Sequence, residues 1–492
     1  MYGLNKFIFI CSFAIIFVIS CSSSSTGTPE PQGVPTEEEL FNINNNNPFP
    51  EIRDHTGVFA DTILIKSKAI TMESALPVAE ALAIKEGRIL GIGSNKYVMS
   101  FEGPQTLTLD LGGRTVLPGF VDAHNHMFSE AVESGMQTLE EIQTYALAGG
   151  ITAMADMSVG PQIIEPIIDF AEQGRLKVRT SLYLSYNENC GEFLGDWYLD
   201  YPVDKSPQHM LRIPGVKIFT DGWTCELLPA FTFSIPDAPR RNPKGHLLIE
   251  KDQLEDAITE VQKLGYQAAI HALGDRAIEN ALDALENVLS GKKNSLRHRM
   301  EHNMYIRPEL LPRYGEIGVI PVVWDSMACF IEDVESNTRS WSEIIYVMGG
   351  PETHSWINPW KSLLASNNNL VVAYHSDESW GGPYPIHHLY SYVTRNDVRP
   401  YSLEICDSPG WMHDEAISVE EALRIMTVGS AYSIFMEESI GSLKEGKFAD
   451  LIVLSDDPTK VDNESLKDIK ILLTMVGGNI EYCNQIYVSL CD

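Results

Sequence analysis

The chain has 492 residues, 44% of them hydrophobic, enough for a large buried core and for roughly two to four domains. Lys plus Arg number 36 against 67 Asp plus Glu, a net charge of −31. Such a surface repels nucleic acid and anionic lipid headgroups and excludes both as partners of the folded body.

In chain order, Lys6 precedes an apolar run from Phe7 to Ile19, too short to span a bilayer comfortably. The run ends in Val18-Ile-Ser-Cys21, before Ser22-Ser-Ser-Ser-Thr26. This looks like a secretory signal with the lipobox of a bacterial lipoprotein. The resemblance implies that residues 1–20 are removed and that the Cys21 sulfur carries a lipid. It also implies a place in the bacterial cell envelope, held to a membrane through that lipid only and facing the periplasm or the exterior. Residues 21–52 are rich in Ser, Pro, Asn and Glu, cannot bury a core, and read as a tether. Beyond Cys11 and Cys21, none of the remaining cysteines forms a Cys-x-x-Cys pair, which argues against a thiolate zinc site. Export permits disulfides. A small loop closed by Cys483 and Cys491 is one open pairing.

From Asp61 to Leu111 the pattern is short strands and turns. Thr62-Ile-Leu-Ile-Lys66, Ala81-Leu-Ala-Ile-Lys85, Arg88-Ile-Leu-Gly-Ile-Gly93 and Thr106-Leu-Thr-Leu-Asp-Leu111 are β-rich, and nothing in them looks catalytic. Pro118-Gly-Phe-Val-Asp-Ala-His124-Asn-His126 follows, a strand ending in two histidines. Residues two apart in an extended chain point to one side, so His124 and His126 can grip one ion.

After it, strands and helices alternate. Strands are predicted at 149–156, 178–186, 215–221, 265–271, 296–302, 318–323 and 370–377. Helices are predicted at 139–147, 163–173, 254–264, 277–289 and 360–367. The alternation argues for a parallel sheet, and this many repeats suit a (β/α)₈ TIM barrel over residues 118–429. Its chemistry belongs at the C-terminal strand ends. There the pattern puts His124 and His126 after strand one, Lys217 within strand four, His271 after strand five, His302 after strand six and Asp377 after strand eight. Four histidines and an aspartate recurring at one end of separate strands point to a divalent metal site. A capped helix at 418–427 and β character from Ile440 to Tyr482 close the chain. Those last strands are expected to pair with the first β unit, making one small β-sandwich domain from 53–117 plus 430–492.

These residues resemble the amidohydrolase superfamily, and within it amidohydrolase family 3, the branch that includes N-substituted formamide deformylase. The resemblance rests on Pro118 to His126, Gly215-Val-Lys-Ile-Phe-Thr-Asp-Gly222, His271-Ala-Leu-Gly-Asp-Arg-Ala277, Arg297-His-Arg-Met-Glu-His302 and Gly441 to Leu454. Two departures stand out. Only 22 residues separate His126 from Gly149, where family members carry a long insertion, and no proline follows closely on Asp377. The resemblance implies hydrolysis of C–N bonds in amides or cyclic amides through metal-activated water, with His124, His126, Lys217, His271, His302 and Asp377 holding one or two zinc ions. Asp377 is the expected proton acceptor and donor, and Lys217 is expected to be carboxylated. Trp223, Tyr186 and Trp380 are expected to line a pocket for a small-molecule substrate. Esterase, deaminase or isomerase chemistry on the same site stays open, as do a non-catalytic binding lipoprotein and assembly into a homo-oligomer. His298 and His375 read as hydrogen-bonded barrel histidines. Asp275 and Arg276 read as a structural pair or cap, and His387 and His388 as helix residues after the last strand.

Overall fold

The structure is a computed structural model that describes residues 57–222, 228–235, 242–325, 328–329, 351–378, 384–399 and 402–486. Cys21, the signal and the tether lie outside the described residues, as do Trp223, Trp380 and Cys491.

Eight parallel strands form a nearly closed barrel in sequence order. They are β1 (Phe120–Asn125), β2 (Ile151–Val159), β3 (Arg179–Ser185), β4 (Leu211–Phe219), β5 (Gln267–Ala272), β6 (Arg299–His302), β7 (Ile320–Val323) and β8 (Ala373–Tyr374). The segment after β8 lies against β1. The Asp377 amide donates to the His124 carbonyl at 3.0 Å, and the His126 amide donates to the Glu378 carbonyl at 2.7 Å. The strands are buried on both faces, as their near-continuous apolar runs require. Small and branched side chains such as Val121, Ala155, Ala269 and Val322 fill the lumen. Helices cover the outside. In the helix Asp275–Leu289, Ala277, Ile278, Ala281, Leu282, Leu285 and Leu289 recur three or four apart and are all buried.

Both ends of the barrel segment run into β structure. Strands Thr115–Pro118, Lys68–Ile70 and Val78–Ala79 share a six-stranded sheet with Leu451–Leu454, Ile471–Val476 and Asn479–Cys483. A four-stranded sheet built from residues 62–110 faces it. Leu64, Leu82 and Leu109 of one sheet share a core with Val116, Leu451 and Leu473 of the other. Gly119 joins strand Thr115–Pro118 to β1. A Cβ there would lie 2.2 Å from the Thr152 side chain, so the passage between the two layers excludes any larger residue.

The structure departs from the sequence reading in several places. The 22 residues after His126 hold two helices, Met127–Ser134 and Leu139–Ala148, and only the second is apparent from periodicity. The second starts at a Thr138–Glu141 capping box, whereas the first has His126 at its N-cap with no side-chain cap bond. Strand six begins at Arg299 rather than 296, because Arg297 adopts a left-handed φ of 56°. Strand eight is two residues long. Beyond it the chain bends toward β1, where Ser376 donates to the Asp122 carboxylate through its amide at 3.1 Å and its hydroxyl at 2.6 Å. The helix expected at 418–427 is α-helical over Val419–Arg424 and widens to a π-turn at Ile425–Gly429. All four described cysteines are disulfide-bonded: Cys329 pairs with Cys406, and Cys190 and Cys483 are each in a disulfide as well.

Candidate active site

The six candidate ligands converge at the C-terminal end of the barrel. His124 ends β1, fully buried. Its Nδ1 lies 2.8 Å from Glu301 Oε2, which fixes the ring so that Nε2 faces the centre. From there Nε2 is 3.1 Å from Asp377 Oδ1, 3.4 Å from His126 Nε2 and 3.4 Å from Lys217 Nζ. His126 Nε2 is also 3.1 Å from Asp377 Oδ1. His302 is further out, its Nδ1 3.9 Å from Asp377 Oδ2. His271 stands beside it, with ring centroids 4.6 Å apart. These groups open onto a cavity of about 460 Å³ whose wall includes His126, Lys217, His271, His302 and Asp377.

Two of the ligands sit on strained backbone. His302 has φ 70° and Asp377 φ 59°, the left-handed region that non-glycine residues enter at a cost. Asn303, itself at φ 55°, stabilises the first turn by donating to the Met300 and Val322 carbonyls, and it accepts from Tyr314 Oη at 2.7 Å. The chain spends backbone strain to aim these side chains inward.

The electrostatics favour metal-ligating protonation states. Burial holds the imidazoles of His271 and His302 well below the ordinary histidine value, so both are neutral with a free lone pair. Burial alone would raise the Asp377 carboxyl, but His302, His124 and His126 hold it well below the carboxylate range. Burial lowers the Lys217 amine to about 8. Burial likewise opposes ionisation of Glu301, yet Arg299 and His124 keep its carboxyl far below the usual range.

The donor set fits a divalent ion. His271 Nε2 stands 3.4 Å from Asp221 Oδ1, whereas His271 Nδ1, His302 Nδ1 and His126 Nδ1 are buried without a hydrogen-bond partner. Buried polar atoms are rarely left so, and a bound ion is a standard reason when they are. Neutral imidazole with carboxylate suits zinc and its neighbours.

Other residues fall differently. His298 Nδ1 accepts from the Ala268 amide at 2.9 Å, as a hydrogen-bonded barrel histidine should. His375 does not: both of its ring nitrogens are buried with no hydrogen-bond partner, and its ring stacks on His124 at 4.9 Å. Asp275 pairs with Arg307 at 3.3 Å and accepts from the Thr232 amide, rather than pairing with Arg276 beside it. His387 and His388 lie on the helix Pro385–Thr394, as expected. Tyr186 packs its ring on Phe193 and Tyr198, and the cavity wall includes Asn189 and Phe219. Trp324, Glu130 and Glu133 also line the cavity and escape the sequence reading. Trp324 directly follows β7, so the rule that strand ends carry the site was the signal for it.

Glu301 is the other residue that reading misses. It takes two bonds from Arg299, at 2.7 and 2.8 Å, and orients His124. Glu301→Gln leaves the Arg299 guanidinium buried and uncompensated, a cost of about 3–5 kcal/mol. Metal affinity is expected to fall about ten- to a hundredfold, read by chelator competition. Unchanged affinity in a folded variant would show that Glu301 does not position His124. Because its native carboxyl titrates below the unfolded value of about 4.3, this pair stabilises the fold above that pH and is lost on further acidification.

Eight parallel strands carrying histidines and an aspartate at one mouth define a barrel hydrolase. The chain belongs to the amidohydrolase family, whose profile matches residues 145–482, more than half of the sequence. Among curated proteins it is 23% identical to the protein LONG AFTER FAR-RED 3 of Arabidopsis thaliana, over 87% of this chain and 92% of that one. It is 27% identical to the N-substituted formamide deformylase of Arthrobacter pascens, over 56% of this chain and 46% of that one. Among solved structures, an uncharacterized metal-dependent hydrolase from Pyrococcus furiosus shares the fold with a TM-score of 0.63 at 22% identity. That match covers 81% of this chain and all of the other.

Proposed function

We propose that this chain is a metal-dependent hydrolase of C–N bonds in amides or cyclic amides, with Asp377 as its proton carrier. The observation that carries the reading is the convergence of several imidazoles, with buried ring nitrogens that lack a hydrogen-bond partner, on one ionised carboxylate at the barrel mouth. His124, His126, His271, His302 and Asp377, together with Lys217, would hold the divalent ions, zinc being the metal that this donor set suits best. When bound, such an ion supplies Lewis acidity and lowers the pKa of water toward neutrality. The rest is done by the chain. Asp377, kept ionised by the surrounding imidazoles, accepts a proton from the attacking water and passes it to the departing nitrogen. The cavity wall positions the substrate, with Trp324 offering an apolar face and Glu130 and Glu133 carboxylates at the same wall. Trp223 and Trp380 remain proposed pocket residues.

Two further proposals accompany this reading. Residues 118–429 form the catalytic barrel domain, with 53–117 and 430–492 as a composite β domain. The chain is also exported and lipid-anchored at Cys21, a reading supported by the disulfide state of every described cysteine. Replacing Cys21 by Ser should release the protein from the membrane fraction, and retention there would remove the anchor.

The function is tested by turnover of the metal-loaded protein on N-acyl amino acids, dipeptides, N-substituted formamides and lactams. Formamides enter the panel because the Arthrobacter relative is named for them. Release of amine from one of these classes is the expected result. Activity on esters or aminopurines alone would move the reaction to another class. Replacing His124 and His126 together by Ala is expected to remove metal and turnover in parallel, because both nitrogens face Asp377 Oδ1 at 3.1 Å. Full metal occupancy in that double variant would displace the site.

A further inference from the structure

We propose that His375 is an additional metal ligand, adding a further imidazole to the metal centre at the cavity wall. The proposal rests on the metal-site reading above and extends it to a residue outside the six candidates.

The geometry is specific to His375. One ligand atom from each of His124, His302, His375 and Asp377 lies within 4.8 Å of every other. Ligand atoms at about 2.1 Å from one ion are roughly 3.4 Å apart in a tetrahedron, so a modest contraction brings the four onto one centre. His375 is fully buried, and neither ring nitrogen has a hydrogen-bond partner. Leaving two buried imidazole nitrogens unpaired costs free energy that packing alone does not return. A barrel histidine kept for its hydrogen bonds looks different, as His298 shows by accepting from the Ala268 amide.

The rings around His375 hold it for this task. It stacks on His124 with centroids 4.9 Å apart and planes 25° from parallel. It meets His302 edge-on at 4.9 Å and Trp324 at 5.6 Å. The chain also repeats one device on neighbouring barrel staves. His124-Asn-His126 ends β1 and His375-Ser-Asp377 follows β8, the two segments being joined by the bond from the Asp377 amide to the His124 carbonyl at 3.0 Å. Each presents two ligating side chains at a spacing of two.

His302 and Asp377 lie in the cavity wall with His126, Lys217 and His271, and His124 and His375 are fully buried beside them.

The test is His375→Phe, which keeps ring size and stacking on His124 but removes both nitrogens. Zinc affinity by chelator competition and the visible spectrum of the cobalt(II)-loaded protein are read beside wild type and His302→Ala. The expected result is at least a tenfold loss of affinity in His375→Phe, with a changed cobalt spectrum. Affinity within twofold of wild type and an unchanged spectrum would overturn the proposal, leaving His375 as packing. In that event, metal loss in His302→Ala would leave the broader site standing, whereas a wild-type chain that takes up no metal would sink both. If His375→Phe does not fold, zinc-soaked wild-type crystals decide the matter. An anomalous peak at about 2.1 Å from a His375 nitrogen supports ligation, and a peak farther than about 3 Å from both nitrogens overturns it.

Discussion

Asp377→Asn is expected to lower kcat by roughly 10²- to 10⁴-fold on whichever amide the wild type turns over, with the fold intact. The amide keeps the shape of the carboxylate but cannot accept a proton. The position leaves little room for another base. Asp377 Oδ1 lies 3.1 Å from both His124 Nε2 and His126 Nε2, and His302 Nδ1 is 3.9 Å from Oδ2. Those neighbours hold the carboxyl well below its ordinary range against the opposing effect of burial, so it is ionised throughout the neutral range. The imidazoles of His271 and His302 are driven low by burial and offer poor bases toward bulk water. The left-handed backbone at residue 377, φ 59°, is equally accessible to Asn, which makes this substitution a clean probe. Circular dichroism confirms the fold and metal analysis the occupancy, since the variant also loses an anionic ligand. Turnover within threefold of wild type would remove Asp377 from proton transfer.

The metal site was legible in the sequence because barrel architecture converts position along a strand into position in space. His124, His271 and His302 each end an apolar run, and the strands are parallel, so ends of runs meet at one mouth. Strands buried on both faces announce themselves as apolar runs, which is why β2 to β5 were found within a few residues. The residues that escaped are those whose partners come from far away in the chain. Glu301 matters through His124, 177 residues earlier, and no local pattern encodes that pairing. His375 precedes Asp377 by two, and the barrel wall rather than its neighbours decides whether its ring meets a hydrogen-bond acceptor or other imidazoles. The helix Met127–Ser134 was hidden because it follows β1 without a capping side chain. It matters to the pocket, since Glu130 and Glu133 lie on it. Strand eight shows the converse: its apolar run is longer than its two ladder residues, because Ser376 bonds Asp122 instead of extending the sheet.

Lys217→Ala is expected to abolish metal binding and activity, with partial return of both on adding short carboxylic acids, because the lysine is proposed to act as a carbamate. It is fully buried, and its Nζ, 3.4 Å from His124 Nε2, has no ion-pair partner among the described residues. Asp221 does not serve as that partner. Its carboxylate accepts backbone amides from Ala230, Leu273 and Gly274 at 2.9–3.1 Å, and burial raises it to about 7. An ammonium here would stand beside the imidazoles meant to hold cations, whereas burial lowers the amine to about 8 and so makes the neutral form accessible. At pH 8 about half the amine is uncharged and nucleophilic. It adds to CO₂, forming an N–C bond and releasing one proton, and a cation becomes an anion at the same place. Metal uptake should therefore rise with pH up to and past 8 and with dissolved CO₂, and fall when the apoprotein is loaded in CO₂-free buffer. The carbamate is labile, so mass spectrometry alone does not decide. Metal stoichiometry together with density at the lysine tip does, the expectation being two ions and a carboxylated side chain. One ion per chain, a bare amine and metal loading indifferent to CO₂ would overturn it.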